Sequence, residues 1–309
     1  MYDESFINEL DSYIKERLTE KRYRHTMGVV ETSTALARRH GADENKAHVA
    51  ALFHDACKNL DIEEMNMLVE KYDIGQVYID KPQLAHSKLA AAIIKDRFKV
   101  EDQDIINAIS FHTTGRRDMS LLEMIIYVAD ATEPGRTYSD AARLNALAFE
   151  DLDRACYEVA EWSLRIISEE GRYLDEDTVR AKEWFESRLK GKSMDNSRVF
   201  AEFAASILDE KQGRDIVIID ISEKSSFADY FVIAAAGSER LINALAEHIE
   251  DKSAAQGRFV RNIEGKNGSG WILMDYGDVV INIFSEENRQ KYNLEKIWSD
   301  CEIINWEAE

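Results

Sequence analysis

The chain has 309 residues, a hydrophobic fraction of 45% and a formal net charge of −20. That length exceeds what one helical core needs, so two domains are expected. The acidic excess is spread along the chain, with 26 basic against 37 acidic side chains up to residue 190 and 13 against 22 beyond it, and neither part has the basic face that gripping a nucleic-acid backbone requires.

The opening stretch through Leu18 is acidic and amphipathic, the opposite of a signal peptide. No apolar run approaches the roughly 20 residues that span a bilayer. Cys57, Cys156 and Cys301 are odd in number and far apart, which reads as reduced thiols in a cytoplasmic protein. A helix over about 22–40 carries His25 near its start and Val29, Val30 and Leu36 on its apolar positions. The run Ala50-Ala51-Leu52-Phe53 predicts a buried helix that ends in His54-Asp55. Burying an unpaired aspartate is costly, so something cationic is expected to meet Asp55. Cys57, beside that pair, reads as a small core residue. His86 begins a helix through Ser87-Lys88-Leu89-Ala90, and His112 ends one after Ile109-Ser110-Phe111. Asp130 follows the apolar run Ile125-Ile126-Tyr127-Val128-Ala129. His40 and His48 read as surface residues.

A lone buried histidine or aspartate is more often a satisfied core residue than a ligand. Six in one helical region are harder to dismiss. Imidazole with carboxylate suits iron, manganese, zinc or cobalt and lacks the thiolates of structural zinc. Such a cluster holds one or two ions, lowers the pKa of water and neutralises phosphate oxygens, which points to a metal-dependent phosphohydrolase.

A boundary is expected near 190–195. A helix ends at Ser187-Arg188-Leu189-Lys190, Gly191-Lys192-Ser193 reads as a stop and linker, and Asp195-Asn196-Ser197 cap a new helix. The internal Met194 fits a second part that was once a separate protein. Beyond it, Ile216-Val217-Ile218-Ile219, Tyr230-Phe231-Val232-Ile233, Trp271-Ile272-Leu273-Met274 and Val279-Val280-Ile281-Asn282-Ile283-Phe284 predict four short strands, with a helix from about Glu239 to Gln256 among them. The expected architecture is an all-α helical bundle followed by a smaller α/β mixed-sheet domain. Period-two alternation puts Trp271, Leu273 and Asp275 on one strand face and Ile272 and Met274 on the other. Trp271 is then either core or an aromatic anchor with an acid beside it, suited to a basic protein partner.

The order His25, His54-Asp55, His86, His112, Asp130 resembles the HD-domain phosphohydrolases. Arg24-His25-Thr26-Met27-Gly28-Val29, Ala51-Leu52-Phe53-His54-Asp55-Ala56-Cys57-Lys58, Ala85-His86-Ser87, Phe111-His112-Thr113-Thr114-Gly115-Arg116 and Asp130-Ala131-Thr132-Glu133-Pro134-Gly135-Arg136 are similar to the YqeK-type branch. The resemblance covers residues 1–190. It implies symmetrical cleavage of diadenosine tetraphosphate to two ADP, with iron, as one or two ions, at the site and manganese or cobalt as alternatives. His25, His54, Asp55 and Asp130 are then the metal ligands, and His54, Asp55, His86 and His112 the catalytic set. His86 and His112 also face the substrate phosphates, with Arg22, Lys58, Arg116 and Arg136 as cations; arginine grips phosphate bidentately and lysine as a point charge. A nucleotidase for other nucleotides, or a nucleotide sensor, is the competing reading. The hydrolases of guanosine stress nucleotides place acids after the HD pair, where this chain has Ala56-Cys57-Lys58-Asn59.

Residues 194–309 resemble the RsfS (Iojap) ribosomal silencing factors through Ser225-Ser226-Phe227-Ala228-Asp229-Tyr230, Asp275-Tyr276-Gly277-Asp278-Val279-Val280, Tyr292-Asn293-Leu294-Glu295 and Trp298. That resemblance implies a nucleotidyltransferase-like fold without catalysis. It also implies binding to the large ribosomal subunit through a protein of its intersubunit face, and a block on subunit joining. Trp271, Leu273 and Asp275 are the expected contact, and neither direct nucleic-acid binding nor a membrane is expected.

Overall fold

Short acidic and hydroxyl caps set out the helices of the first unit. Asp3, Thr19, Asp43, Asp61, Asp102 and Ser120 each accept a backbone N–H of the first turn with the side chain, satisfying donors that a helix start leaves orphaned. In the computed structural model, which describes residues 2–266 and 268–306, these caps open α1 (Glu4–Arg17), α2 (Glu20–His40), α3 (Glu44–Phe53), α4 (Ile62–Lys71), and, after α5 (Pro82–Phe98), α6 (Gln103–Phe111) and α7 (Leu121–Thr132). Then follow α8 (Ala141–Glu150), α9 (Leu152–Glu169) and α10 (Glu176–Glu210). The chain separates into two units, Met1–Leu189 and Lys190–Glu309.

Helix α7 is the spine of the first unit. Residues Leu122 to Ala129 are all buried, and the helix packs on α2, α3, α6, α8 and α9. A helix apolar all round must lie in a core. Its neighbours therefore surround it, and the histidine-bearing ends of α3 and α6 and the start of α2 are brought to its C-terminal half.

The second unit is a six-stranded sheet built from β1 (Arg214–Asp220), β2 (Tyr230–Ala236), β3 (Asn262–Glu264), β4 (Trp271–Asp275), β5 (Val279–Ser285) and β6 (Glu302–Asn305), in the order β3-β4-β5-β2-β1-β6. Only β2 and β5 pair in parallel, and the helix α11 (Glu239–Ala255) lies between them in sequence, as a parallel connection needs. Ile272 and Met274 face the core shared with Phe200, Leu208, Leu245 and Ile249. The other sheet face carries Ile219, Phe231 and Phe284, with Trp271, Leu273 and Trp298 packed partly against them. Short helices α12 (Glu286–Tyr292) and α13 (Leu294–Ile297) follow β5.

Three expectations need correction. Helix α10 runs without a break through Gly191, and Asp195-Asn196-Ser197 lie inside it rather than capping a new helix. An interior glycine costs about 1 kcal/mol against alanine, too little to stop a helix that no proline interrupts. Ser197 is buried and its hydroxyl donates within reach of Ser193 O, Asp229 and Asp278. Strands β3 and β6 were not expected, since three or four polar-flanked residues carry no readable alternation. His40 and His48 are half-buried rather than exposed, and His40 Nε2 sits 2.7 Å from Ala148 O.

Candidate metal centre

Four imidazoles of the first unit share one arrangement: Nδ1 is occupied and Nε2 is left inward. His54 and His112 are the residues that close α3 and α6, where the last carbonyls of a helix lack partners. Their Nδ1 atoms lie 2.6 Å from Ala51 O and 2.8 Å from Ile109 O. His86, in the second turn of α5 rather than at its start, has Nδ1 3.0 Å from Pro82 O. A carbonyl can only accept, so Nδ1 carries the proton and Nε2 a lone pair in all three.

His25 keeps that arrangement with a different partner. Its Nδ1 lies 3.0 Å from Glu133 Oε1, a carboxylate 108 residues away. Glu133 is buried and accepts the Gly135 N–H at 2.5 Å. Space for it comes from Gly28, where a Cβ would stand 2.5 Å from Glu133 Oε2. A carboxylate behind a ligating imidazole fixes its tautomer and raises its basicity. No role for Glu133 was read from the sequence; the spacing of Gly28 and Gly135 around it was the available signal.

The Nε2 atoms meet the two carboxylates. His25 Nε2 is 3.0 Å from Asp130 Oδ1 and 3.7 Å from Asp55 Oδ2, and His54 Nε2 is 3.5 Å from Asp55 Oδ2 and 3.8 Å from Asp130 Oδ1. On the other oxygen of Asp55, His86 Nε2 is 3.2 Å away and His112 Nε2 3.7 Å. Among the described residues neither His25 Nε2 nor His54 Nε2 has a hydrogen-bond partner, though both atoms are buried. Buried lone pairs beside anionic oxygens fit a cation of the N/O-preferring kind. The sets His25, His54, Asp130 and His54, Asp55, His112 each hold their ligand atoms within 4.8 Å of one another.

Charge balance follows the geometry. Burial would raise the Asp55 pKa, but the surrounding imidazoles, His54 first and then His112 and His86, hold it well below the usual carboxylate range. Asp130 is half-buried, and against the upward push of that burial Arg136 and His25 hold it well below that range. Burial and the neighbouring Lys58 push His86 down to about 4, so it is neutral at pH 7. Burial lowers Lys58 too, and its Nζ lies 3.2 Å from His86 Nε2.

Of the four expected phosphate cations, three are gathered here. Arg22 Nη1 is 2.9 Å from Asp55 Oδ2, and Arg136 donates to Asp130 at 2.6 Å through Nη2 and to its carbonyl at 2.7 Å through Nε. Arg22 and Arg136 line a cleft of about 990 Å³ that also takes in Lys21, Arg24, His25 and Gly28. Arg116 is elsewhere. Its guanidinium forks onto buried Glu123 at 2.6 and 2.8 Å, and it lines a separate cleft with Phe111 and Trp184. Glu123 is the capping-box acid of α7 and needs a counter-charge. That need absorbs Arg116.

In the second unit, Trp271, Leu273 and Asp275 share a face and are each half-buried. Trp271 stacks on Phe284 with ring centroids 4.8 Å apart, contacts Tyr292, and donates its indole N–H to Asn282 Oδ1 at 3.1 Å. It is thus part of the fold on one side and open on the other. No helix among the described residues is long and apolar enough to cross a membrane.

The family model described as HD domain matches residues 22–135, and the model described as ribosomal silencing factor during starvation matches residues 194–309. The symmetrical bis(5'-nucleosyl)-tetraphosphatase of Bacillus subtilis (strain 168) is 37% identical over 175 residues, 56% of this chain and 94% of that protein. The ribosomal silencing factor RsfS of the same organism is 36% identical over 110 residues, 36% of this chain and 93% of that protein. A solved structure from Clostridium acetobutylicum, described as a predicted HD superfamily hydrolase involved in NAD metabolism, is 36% identical with a TM-score of 0.56, covering 59% of this chain and 97% of its own.

Proposed function

The chain belongs through its first unit to the HD-domain symmetrical bis(5'-nucleosyl)-tetraphosphatases and through its second to the ribosomal silencing factors, and we propose that it joins both activities. The first unit splits diadenosine tetraphosphate at the middle of its phosphate bridge into two ADP. The second binds the large ribosomal subunit through a protein of the intersubunit face and represses translation by blocking subunit joining. Both tasks belong to the cytoplasm.

The convergence of four Nε2 lone pairs on Asp55 and Asp130, beside a cleft carrying Arg22 and Arg136, carries the first half of this reading. His25, His54, Asp55 and Asp130 would hold iron, or manganese or cobalt in its place. Asp55, with one oxygen toward His25 and His54 and the other toward His86 and His112, would serve a second ion. Bound there, the metal supplies Lewis acidity toward phosphate oxygen and makes water more acidic. The chain's own part is orientation and charge. Ala51 O, Ile109 O, Pro82 O and Glu133 fix the imidazole rings. Neutral His86 offers Nε2 as an acceptor beside the Lys58 ammonium. Arg22, Lys58 and Arg136 oppose the negative charge that builds as the central phosphoanhydride P–O bond breaks and water oxygen joins phosphorus.

For the second half, the half-exposed Trp271 with Leu273 and Asp275 presents an aromatic anchor and an acid on a unit with 14 basic against 22 acidic side chains. Such a surface suits a basic ribosomal protein better than RNA phosphates.

Anion-exchange analysis after incubating the iron- or manganese-loaded chain with diadenosine tetraphosphate tests the enzymatic half. ADP is the expected sole product. AMP with ATP, or no turnover with iron, manganese or cobalt, would overturn it.

A further inference from the structure

One sheet face of the second unit buries a polar side chain that packing alone does not call for. Asn282 lies in the middle of β5, paired with Leu273 of β4 on one side and Ile233 of β2 on the other. Along β5 it alternates with Val280 and Phe284 on the face that also buries Ile219 and Phe231. Its Oδ1 accepts the Trp271 indole N–H at 3.1 Å, and its buried Nδ2 has no acceptor among the described residues. We propose that Asn282 is a positioning residue for the Trp271 anchor: it turns the only donor of the indole inward, so that Trp271 meets its protein partner as a purely apolar surface. This rests on the ribosomal reading above.

Stacking by itself does not set that orientation. Trp271 lies 4.8 Å from Phe284 at 27° and 4.9 Å from Tyr292 at 44° between ring centroids. Both contacts survive a half-turn of the indole about its bond to Cβ, because stacking depends on the ring face and not on where the N–H points. The hydrogen bond does not survive it. The amide is fixed as well, since turned over it would set Nδ2 against the indole N–H, donor against donor. The bond thus selects both orientations at once, at the cost of a stranded Nδ2. A leucine has almost the same shape and strands nothing, so the return on the asparagine lies in Trp271 rather than in the core.

The partner's chemistry follows. With its N–H spent on Asn282, the half-exposed indole offers only hydrocarbon, and the pocket that receives it is aliphatic or aromatic. Charge recognition falls to Asp275 on the same face. An indole held in place beforehand also loses less freedom on docking.

The test uses the full chain with Asn282→Leu, and with Asn282→Val as a second apolar variant should leucine fail to fit. Readouts are Kd for large ribosomal subunits by co-sedimentation, hydrogen exchange of the Trp271 indole N–H by NMR, and melting temperature. The indole N–H is expected to be protected in the wild type and unprotected in the variants. Kd should rise about three- to tenfold, the scale of one side chain left to be ordered on binding, with melting within about 4 °C of wild type. In a Trp271→Phe background Asn282→Leu should change Kd no further, since the asparagine acts through the indole. A wild-type indole N–H that exchanges as fast as that of free tryptophan, wild-type Kd in a folded variant, or an equal loss in the Trp271→Phe background would each overturn the proposal. A wild-type chain that binds no large subunits while Asn282 protects its indole N–H would instead sink the ribosomal reading and keep the positioning role.

Discussion

The two units bury polar groups to opposite ends. In the first, His54, Asp55, His86, His112 and Glu133 are buried around two imidazole nitrogens, His25 Nε2 and His54 Nε2, that no donor among the described residues meets. In the second, buried Ser197 is bonded to Asp229 and Asp278 and buried Asn282 accepts from Trp271, while the buried atoms left without a partner, Ser253 Oγ, Tyr276 Oη, Asn282 Nδ2 and Trp306 Nε1, belong to no imidazole. Among the described residues, both groupings of histidine and carboxylate that suit a metal lie in the first unit. The second instead leaves Phe227, Phe259 and Ile297 largely exposed. A reaction centre has to keep water out while leaving ligating atoms unsatisfied. A binding unit has no such need and keeps its affinity on the outside.

That contrast can be broken most forcefully at His54. His54→Ala should lower tetraphosphate turnover by about a thousandfold or more, the scale of losing several kcal/mol of charge stabilisation. Co-sedimentation with large ribosomal subunits should be unchanged, and loss of both would show that the units do not act separately. Trp271→Ala should do the reverse, weakening subunit binding by about 30-fold or more as an interface hot spot does, with turnover intact. Because Trp271 also stacks on Phe284 and bonds Asn282, the second unit should melt earlier. Trp271→Phe, which keeps a stack, separates the two effects; subunit binding unaltered by either change would remove Trp271 from the interface.

Glu133→Gln sharpens the comparison within the first unit. Metal affinity measured by calorimetry should fall by about 10–100-fold, since the amide no longer supplies a charged acceptor to His25 Nδ1. Gly28→Ala should act in the same direction, its Cβ crowding Glu133 Oε2. Wild-type affinity in both would reduce Glu133 to a turn residue. The smallest effect is on acid stability of the metal-free chain. His86 titrates near 4 when folded against an ordinary 6.5, so the unfolded chain takes up this proton first. The stability present above pH 6.5 is therefore lost as pH falls toward 4. Melting scans should show this drop for the first unit, and His86→Phe should flatten it.

The helical first part and mixed-sheet second part were legible because their signals are local. Runs such as Ile125 to Ala129 and Val279 to Phe284 announce themselves through burial and β-branching, and the histidine strings lie at helix ends that caps and apolar runs locate. What was not legible depends on distant partners. Glu133 acquires its place from His25 across 108 residues, and Arg116 loses its expected one to Glu123. The continuity of α10 across Gly191 escaped for a different reason. A glycine lowers helix propensity by an amount that neighbouring turns outweigh, so a composition break there was read as a break in the backbone.

The most direct test of a metal centre built from these lone pairs is the metal bound per chain, after manganese loading and desalting, in the wild type and in His54→Ala. The account predicts at least one equivalent retained by the wild type and its loss in the variant. Equal retention by the two chains, or none by the wild type, would contradict it.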